Sequence, residues 1–223
     1  MKLFLCSDKI TKSLKPSFET FVEKPITEFK KIVFITTGAN PTPPEKQADL
    51  RKWLIEDRKD LDMFSNADIT ELDIANIQGD ELRSLLEQQD LIYMNGGYTE
   101  YLMQQVHKSG LSEYLFELLD SGIIYVGSST GSMIMSEQFS TAEFYPGEEE
   151  PGASKTKGFG LLDFELFPHY DEKAHLPHIL KHRDPNISYC LFKNGQAISY
   201  ENGKITMHEG NGGKFEFLQK DIN

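Results

Sequence analysis

Residues 125–132 read YVGSSTGS, with Ile123 and Ile124 just before them and the helix-compatible stretch 132–137 overlapping their end. The segment contains G-x-S-x-G as Gly127, Ser128, Ser129, Thr130 and Gly131. A strand over 123–126 that turns sharply into a helix forces the central residue into strained backbone angles. Glycines two positions to either side remove the clash between strand and helix. Such a turn lifts the Ser129 hydroxyl above the carboxyl edge of a sheet, close to the positive end of the following helix, so Ser129 is the candidate nucleophile. The same five residues standing alone would be an ordinary turn, and it is the strand before and the helix after that give them meaning.

Working outward, the same alternation recurs. Residues 2–6 predict a strand and the Phe18, Phe21, Val22 spacing a helix. Residues 31–36 (KIVFIT) predict a strand covered on both faces, then a Pro-rich break at 40–44 and a long amphipathic helix over 45–63. Strands at 69–74, 90–94 and 123–126 interleave with helices at 79–88, 99–107 and 111–119. This is the pattern of a parallel sheet between two helix layers, in a single domain spanning the whole chain. Residues 145–160 read as a surface loop. Beyond 161 short strand-like pieces follow, with hairpin-type turns at 193–195 and 201–203.

Composition excludes several classes. With 23 Lys and Arg against 35 Asp and Glu the net charge is -12, which repels nucleic acid. The densest acidic run is Glu148, Glu149 and Glu150. Cys6 and Cys190 lie in apolar segments without C-x-x-C spacing, which fits a reducing compartment and a cytoplasmic location. No signal peptide is expected in residues 1–10, and no apolar run approaches the roughly 20 residues that span a bilayer, so no membrane partner is expected.

A serine needs a base and an oxyanion site. Residues 90–99 (DLIYMNGGYT) run from a strand through Gly96 and Gly97 into a helix, leaving bare amides at the same sheet edge. Gly97 and Thr130 N–H are the expected oxyanion pair. His169 ends the apolar run 161–168 and is the expected base, delivered by a strand. His107 lies in a helix and His208 near the end, while His175, His178 and His182 read as a solvated segment disturbed by Pro177. With no acid or cysteine at matching spacing, neither a metal nor a cofactor is expected. There is also no G-x-G-x-x-G and no Walker lysine.

These residues resemble the peptidase E family of serine dipeptidases, which cleave Asp-Xaa dipeptides, and more distantly the cyanophycinases. Asn95 to Thr99 (NGGYT) is similar to the family's glycine-rich oxyanion loop, and YVGSSTGSMIM to its nucleophile turn. FGLLDFELFPHY at 159–170 is similar to its histidine strand, and NGQAI at 194–198 to a late strand. The resemblance implies a three-layer α/β/α sandwich with a mostly parallel sheet, flavodoxin-like and related to class I glutamine amidotransferases. It also implies a small peptide substrate and a monomer or homodimer. Two departures stand out. Thr130 and Ser132 replace alanines of the family's turn. Residues 137–145 carry Ser140 and no basic residue where the resemblance implies an Arg for the substrate carboxylate. For the triad acid the resemblance implies Glu143, with Glu137, Asp171 and Glu201 as rivals. A catalytically silent relative that binds a small ligand is the alternative.

Overall fold

The structure is a computed structural model and describes residues 1–40, 47–147 and 149–221, with the helix but not the side chains of 47–51. Residues 41–46, which include most of the expected Pro-rich break and the expected helix start, and Glu148 of the acidic run lie outside the described residues.

Five strands are parallel neighbours: β1 (Lys2–Cys6), β2 (Lys31–Ile35), β3 (Asp68–Leu72), β4 (Leu91–Met94) and β5 (Ile124–Ser128), in the order β3-β2-β4-β5-β1. The sheet continues past β1 with two antiparallel additions, β8 (Ala197–Glu201) and β9 (Lys204–His208), joined by a hairpin at Asn202 and Gly203 as expected.

Strand residues alternate between two cores. Leu3, Leu5, Val33, Ile35, Ile92, Met94 and Tyr125 face the apolar stripes of α3 (Gly79–Leu86), α4 (Thr99–Lys108) and α5 (Leu111–Asp120). Phe4, Cys6, Ile32, Phe34, Tyr93 and Val126 face the other way. There they meet Phe18 and Val22 of α1 (Lys15–Val22) together with Phe29, Leu61 and Phe64. Because both faces are covered, the central strands read as unbroken apolar runs with no polar alternation. The result is the expected flavodoxin-like sandwich.

Five local expectations need correction. The helix expected over 132–137 is α6 (Thr130–Met133), a single turn, after which Ser136 pairs with Leu162 as an isolated bridge. The long helix of 45–63 is α2 (Gln47–Asp60) followed by a 3-10 turn. Among its described side chains Trp53 and Leu54 are half-buried, Ile55 is exposed, and none belongs to either core. Its last turn is tied to the carboxyl edge of the sheet, by Asp60 to Lys9 at 2.5 Å and by Asp57 to Asn95 Nδ2 at 3.0 Å.

The run 161–168 forms only a three-residue strand, β6 (Glu165–Phe167). It belongs to a separate sheet, β10-β7-β6, with β7 (Tyr189–Leu191) and β10 (Glu216–Leu218). The turn at 193–195 therefore joins two sheets and is no hairpin. Finally, 172–182 is helical (α7, Glu172–His182) with Pro177 inside it. One face, through Ile179, packs on Phe144, Phe167, Tyr170, Tyr189 and Leu191. His175 is half-buried against the rings of Tyr145, Phe167 and Tyr170, so this segment is only partly solvated.

Candidate active site

The carboxyl ends of β5, β4 and β1 converge at Ser129. The residue sits at φ 51°, ψ -113°, a region non-glycine residues rarely occupy and that costs on the order of 1–3 kcal/mol. The turn is clamped from several sides. Ser129 N–H donates to the Cys6 carbonyl (3.2 Å), the Ser129 carbonyl accepts from Ser132 and Met133 amides (2.8 and 3.0 Å), and Ser132 Oγ donates to the Cys6 carbonyl (2.8 Å). The second motif glycine is required by contact. A Cβ on Gly131 would lie 2.1 Å from the Met94 carbonyl oxygen, so only glycine lets α6 start against β4.

His169 Nε2 lies 2.9 Å from Ser129 Oγ. Its Nδ1 lies 2.7 Å from Asn194 Oδ1. An amide oxygen only accepts, so Nδ1 carries the proton and Nε2 presents its lone pair to the serine hydroxyl. His169 is itself held at φ 55° by Ser7. The Ser7 hydroxyl accepts from His169 N–H (2.8 Å), donates to the Phe192 carbonyl (2.9 Å) and lies 3.4 Å from Asn194 Oδ1. One buried hydroxyl at the end of β1 thus ties His169 and Asn194 to the sheet.

The Gly96–Gly97 segment passes over Ser129. A Cβ on Gly96 would be 3.1 Å from Ser129 Cβ. Thr130 Oγ1 donates to the Gly97 carbonyl at 2.6 Å, joining the two backbone stretches expected to supply the oxyanion donors. Neither Gly97 N–H nor Thr130 N–H donates to an acceptor among the described residues. Gly97, His169 and Asn194 are exposed, so the site opens to solvent. A groove of about 470 Å³ lies elsewhere, between α1 and the β8–β9 hairpin, lined in part by Lys2, Glu23 and Lys204.

Glu143 is the sequence expectation that the structure moves. Its carboxylate accepts from Gly152 N–H (3.1 Å) and Ser154 N–H (2.9 Å), closing the loop after α6, and it makes no contact with His169. Burial pushes this carboxyl up, but the hydrogen bonds from Ser154 and Gly152 and the charge of Lys155 hold it below the usual range. The rivals are engaged too: Glu137 pairs with Lys157, Asp171 caps α7 at Ala174 N–H, and Glu201 faces Lys2. Ser140, at the place of the implied Arg, donates to the buried Glu165 carboxylate (2.9 and 3.0 Å). Sequence reading missed Asn194 because Asn-Gly looks like a hairpin turn, and missed Ser7 because nothing local marks it. Among the described residues no His, Cys, Asp or Glu group is placed to hold a metal, and no helix is long and apolar enough to cross a membrane.

Sheet order and helix layers define a flavodoxin-like α/β protein with Ser129, His169 and Asn194 gathered at the carboxyl edge of the strands. A family model for peptidase family S51 matches residues 4–208, and the chain belongs to that family of peptidases. It is 26% identical over 171 residues to an uncharacterised peptidase of Pasteurella multocida (strain Pm70), covering 76% of this chain and 77% of the relative. To the peptidase E of Shewanella baltica (strain OS185) it is 33% identical over 101 residues, 45% of this chain and 41% of that one. A crystal structure of a peptidase E protein from Listeria monocytogenes EGD-e superposes with TM-score 0.68 at 23% identity, over 93% of this chain and 97% of the other. A peptidase from an acI-B1 actinobacterium gives 0.64 at 17%, over 99% and 95%.

Proposed function

We propose that this protein is a serine-type peptidase that hydrolyses small peptides, dipeptides foremost, through an acyl-enzyme at Ser129. The observation that carries this reading is the relay Ser129 Oγ, His169, Asn194 at 2.9 and 2.7 Å, with the imidazole in the tautomer a base needs. Ser129 Oγ attacks the peptide carbonyl carbon as His169 Nε2 takes its proton. Gly97 and Thr130 amides receive the oxyanion. The C–N bond then breaks, the leaving amine takes the proton from Nε2, and water, deprotonated by the same nitrogen, releases the acid from the ester. Asn194 orients the ring without adding a negative charge, as the amide does in Cys-His-Asn peptidases. No cofactor enters the scheme, and a cytoplasmic monomer or homodimer is the form we propose.

Ser140 is spent on Glu165 and residues 137–145 hold no cation, so the side-chain carboxylate of an N-terminal Asp lacks its implied partner here. Neutral dipeptides are the proposed substrates. A fluorophosphonate probe is expected to label the wild-type protein and not Ser129→Ala, and a dipeptide library varied at the first residue is expected to show hydrolysis that Ser129→Ala abolishes. Full activity in Ser129→Ala would overturn the mechanism. A wild-type chain that takes no label and cleaves nothing would instead be a silent, ligand-binding relative.

A further inference from the structure

Glu150 lies about fifty residues from the oxyanion loop in sequence and touches neither Ser129 nor His169, yet its side chain is half-buried against α4. One carboxylate oxygen accepts from Thr99 N–H (2.9 Å) and Thr99 Oγ1 (3.1 Å), the other from Glu100 N–H (3.0 Å). Those amides are orphan donors of the first turn of α4, whose own N-cap residue, Tyr98, offers no side-chain cap. We propose that Glu150 is a positioning residue for the oxyanion hole, setting the Gly97 and Thr130 amides through Thr99. The inference rests on the Ser129 mechanism above.

The hydroxyl protons show how the setting is transmitted. Thr130 Oγ1 gives its proton to the Gly97 carbonyl at 2.6 Å, and Thr99 Oγ1, 3.4 Å away, gives its own to Glu150. A carboxylate, which only accepts, enforces that direction. A glutamine would turn an NH2 toward one of the three donors, and an alanine would leave all three without a partner. In either case the first turn of α4 loses part or all of its anchor, the Gly97–Tyr98 segment leading into it is freer to shift against Thr130, and the two amides lose their fixed separation. Thr99 and Thr130 are both buried, so water does not readily replace the missing acceptor.

The test uses the full chain and a dipeptide cleaved by the wild type. Loss of a whole oxyanion donor costs ~10²-fold or more in turnover, so a misplaced pair in Glu150→Gln should lower kcat about tenfold while leaving KM within about twofold. Affinity for a peptide aldehyde, which forms the tetrahedral adduct, should fall in parallel with kcat, and affinity for the product should not change. Thr130→Val should show the same split, Thr130→Ser should retain most of kcat, and the Glu150→Gln, Thr130→Val double variant should be no slower than the worse single one. If Glu150→Gln and Glu150→Ala are folded and keep wild-type kcat while Ser129→Ala is inactive, the positioning role is wrong and the serine mechanism stands. Loss of kcat that is fully additive with Thr130→Val would also overturn it. Should Ser129→Ala retain full activity, the mechanism beneath both falls.

Discussion

At Ser129 and His169 two non-glycine residues are held at φ 51° and 55° by hydrogen bonds from neighbouring strands. Strain at both ends of one 2.9 Å contact is stable only because Cys6, Ser7 and Phe192 over-determine the backbone around it. The third member of the relay is where chemistry and resemblance part. Asn194 fixes the tautomer by geometry alone, so Asn194→Ala should reduce kcat about a hundredfold by freeing the ring, with little change in KM. Glu143→Ala should leave kcat within about twofold, because its carboxylate serves the amides of Gly152 and Ser154. Steady-state kinetics of the two variants side by side decide between them. A Glu143 variant as impaired as the Asn194 variant would restore the acid to the triad.

At the scale of elements, Ser129, the glycines and Asn194 come from three connections, the β5–α6 turn, the β4–α4 loop and the link from β7 to β8, while His169 comes from the β6–α7 link. The first two were legible, because each announces itself by glycines between an apolar run and a helix. The loop's need for glycine is steric. Gly97 sits at φ 133°, and a Cβ there would lie 2.1 Å from the Gly38 carbonyl oxygen. Gly97→Ala should therefore destabilise the fold by about 3 kcal/mol or more, read as a lowered urea midpoint, beyond any effect on activity. The third connection differs from its local pattern. Residues 193–195 have the composition of a hairpin turn, and only the assignment of β7 and β8 to different sheets makes them a bracket that carries Asn194 to His169. The length of α6 was overestimated for a similar reason: helical propensity continues past Met133, but the bridge from Ser136 to Leu162 ends the helix there.

At the scale of the whole molecule, burial sets a cost that varies with pH. Asp57, on the last turn of α2, faces Lys9, Asp60 and Glu56, and it accepts from Asn95 at the lip of the site. Burial pushes its carboxyl up from 3.8 to about 6, against the hydrogen bond from Asn95 and the charge of Lys9. A carboxyl raised in the folded state favours folding while protonated and loses that advantage as pH rises through about 6. Asp57→Asn keeps an acceptor for Asn95 and removes the ionisation. It should raise stability by ~1 kcal/mol at pH 8, with the gain vanishing below pH ~4, in urea melts taken across that range. A gain that grows toward acid pH would contradict the assignment.

The sandwich is written in the residue pattern alone, because strands covered on both faces must be continuously apolar and helices covering them must repeat every three or four residues. That pattern also singled out Ser129, the Gly96–Gly97 loop and His169, since each is a local arrangement of a few adjacent residues. Which side chain meets His169 Nδ1, which hydroxyl holds both, and where Glu143 and Glu150 point were decided only by tertiary structure. Those contacts join residues 25, 162 and 51 positions apart, and no local pattern encodes a hydrogen bond between segments that meet only once the chain has packed.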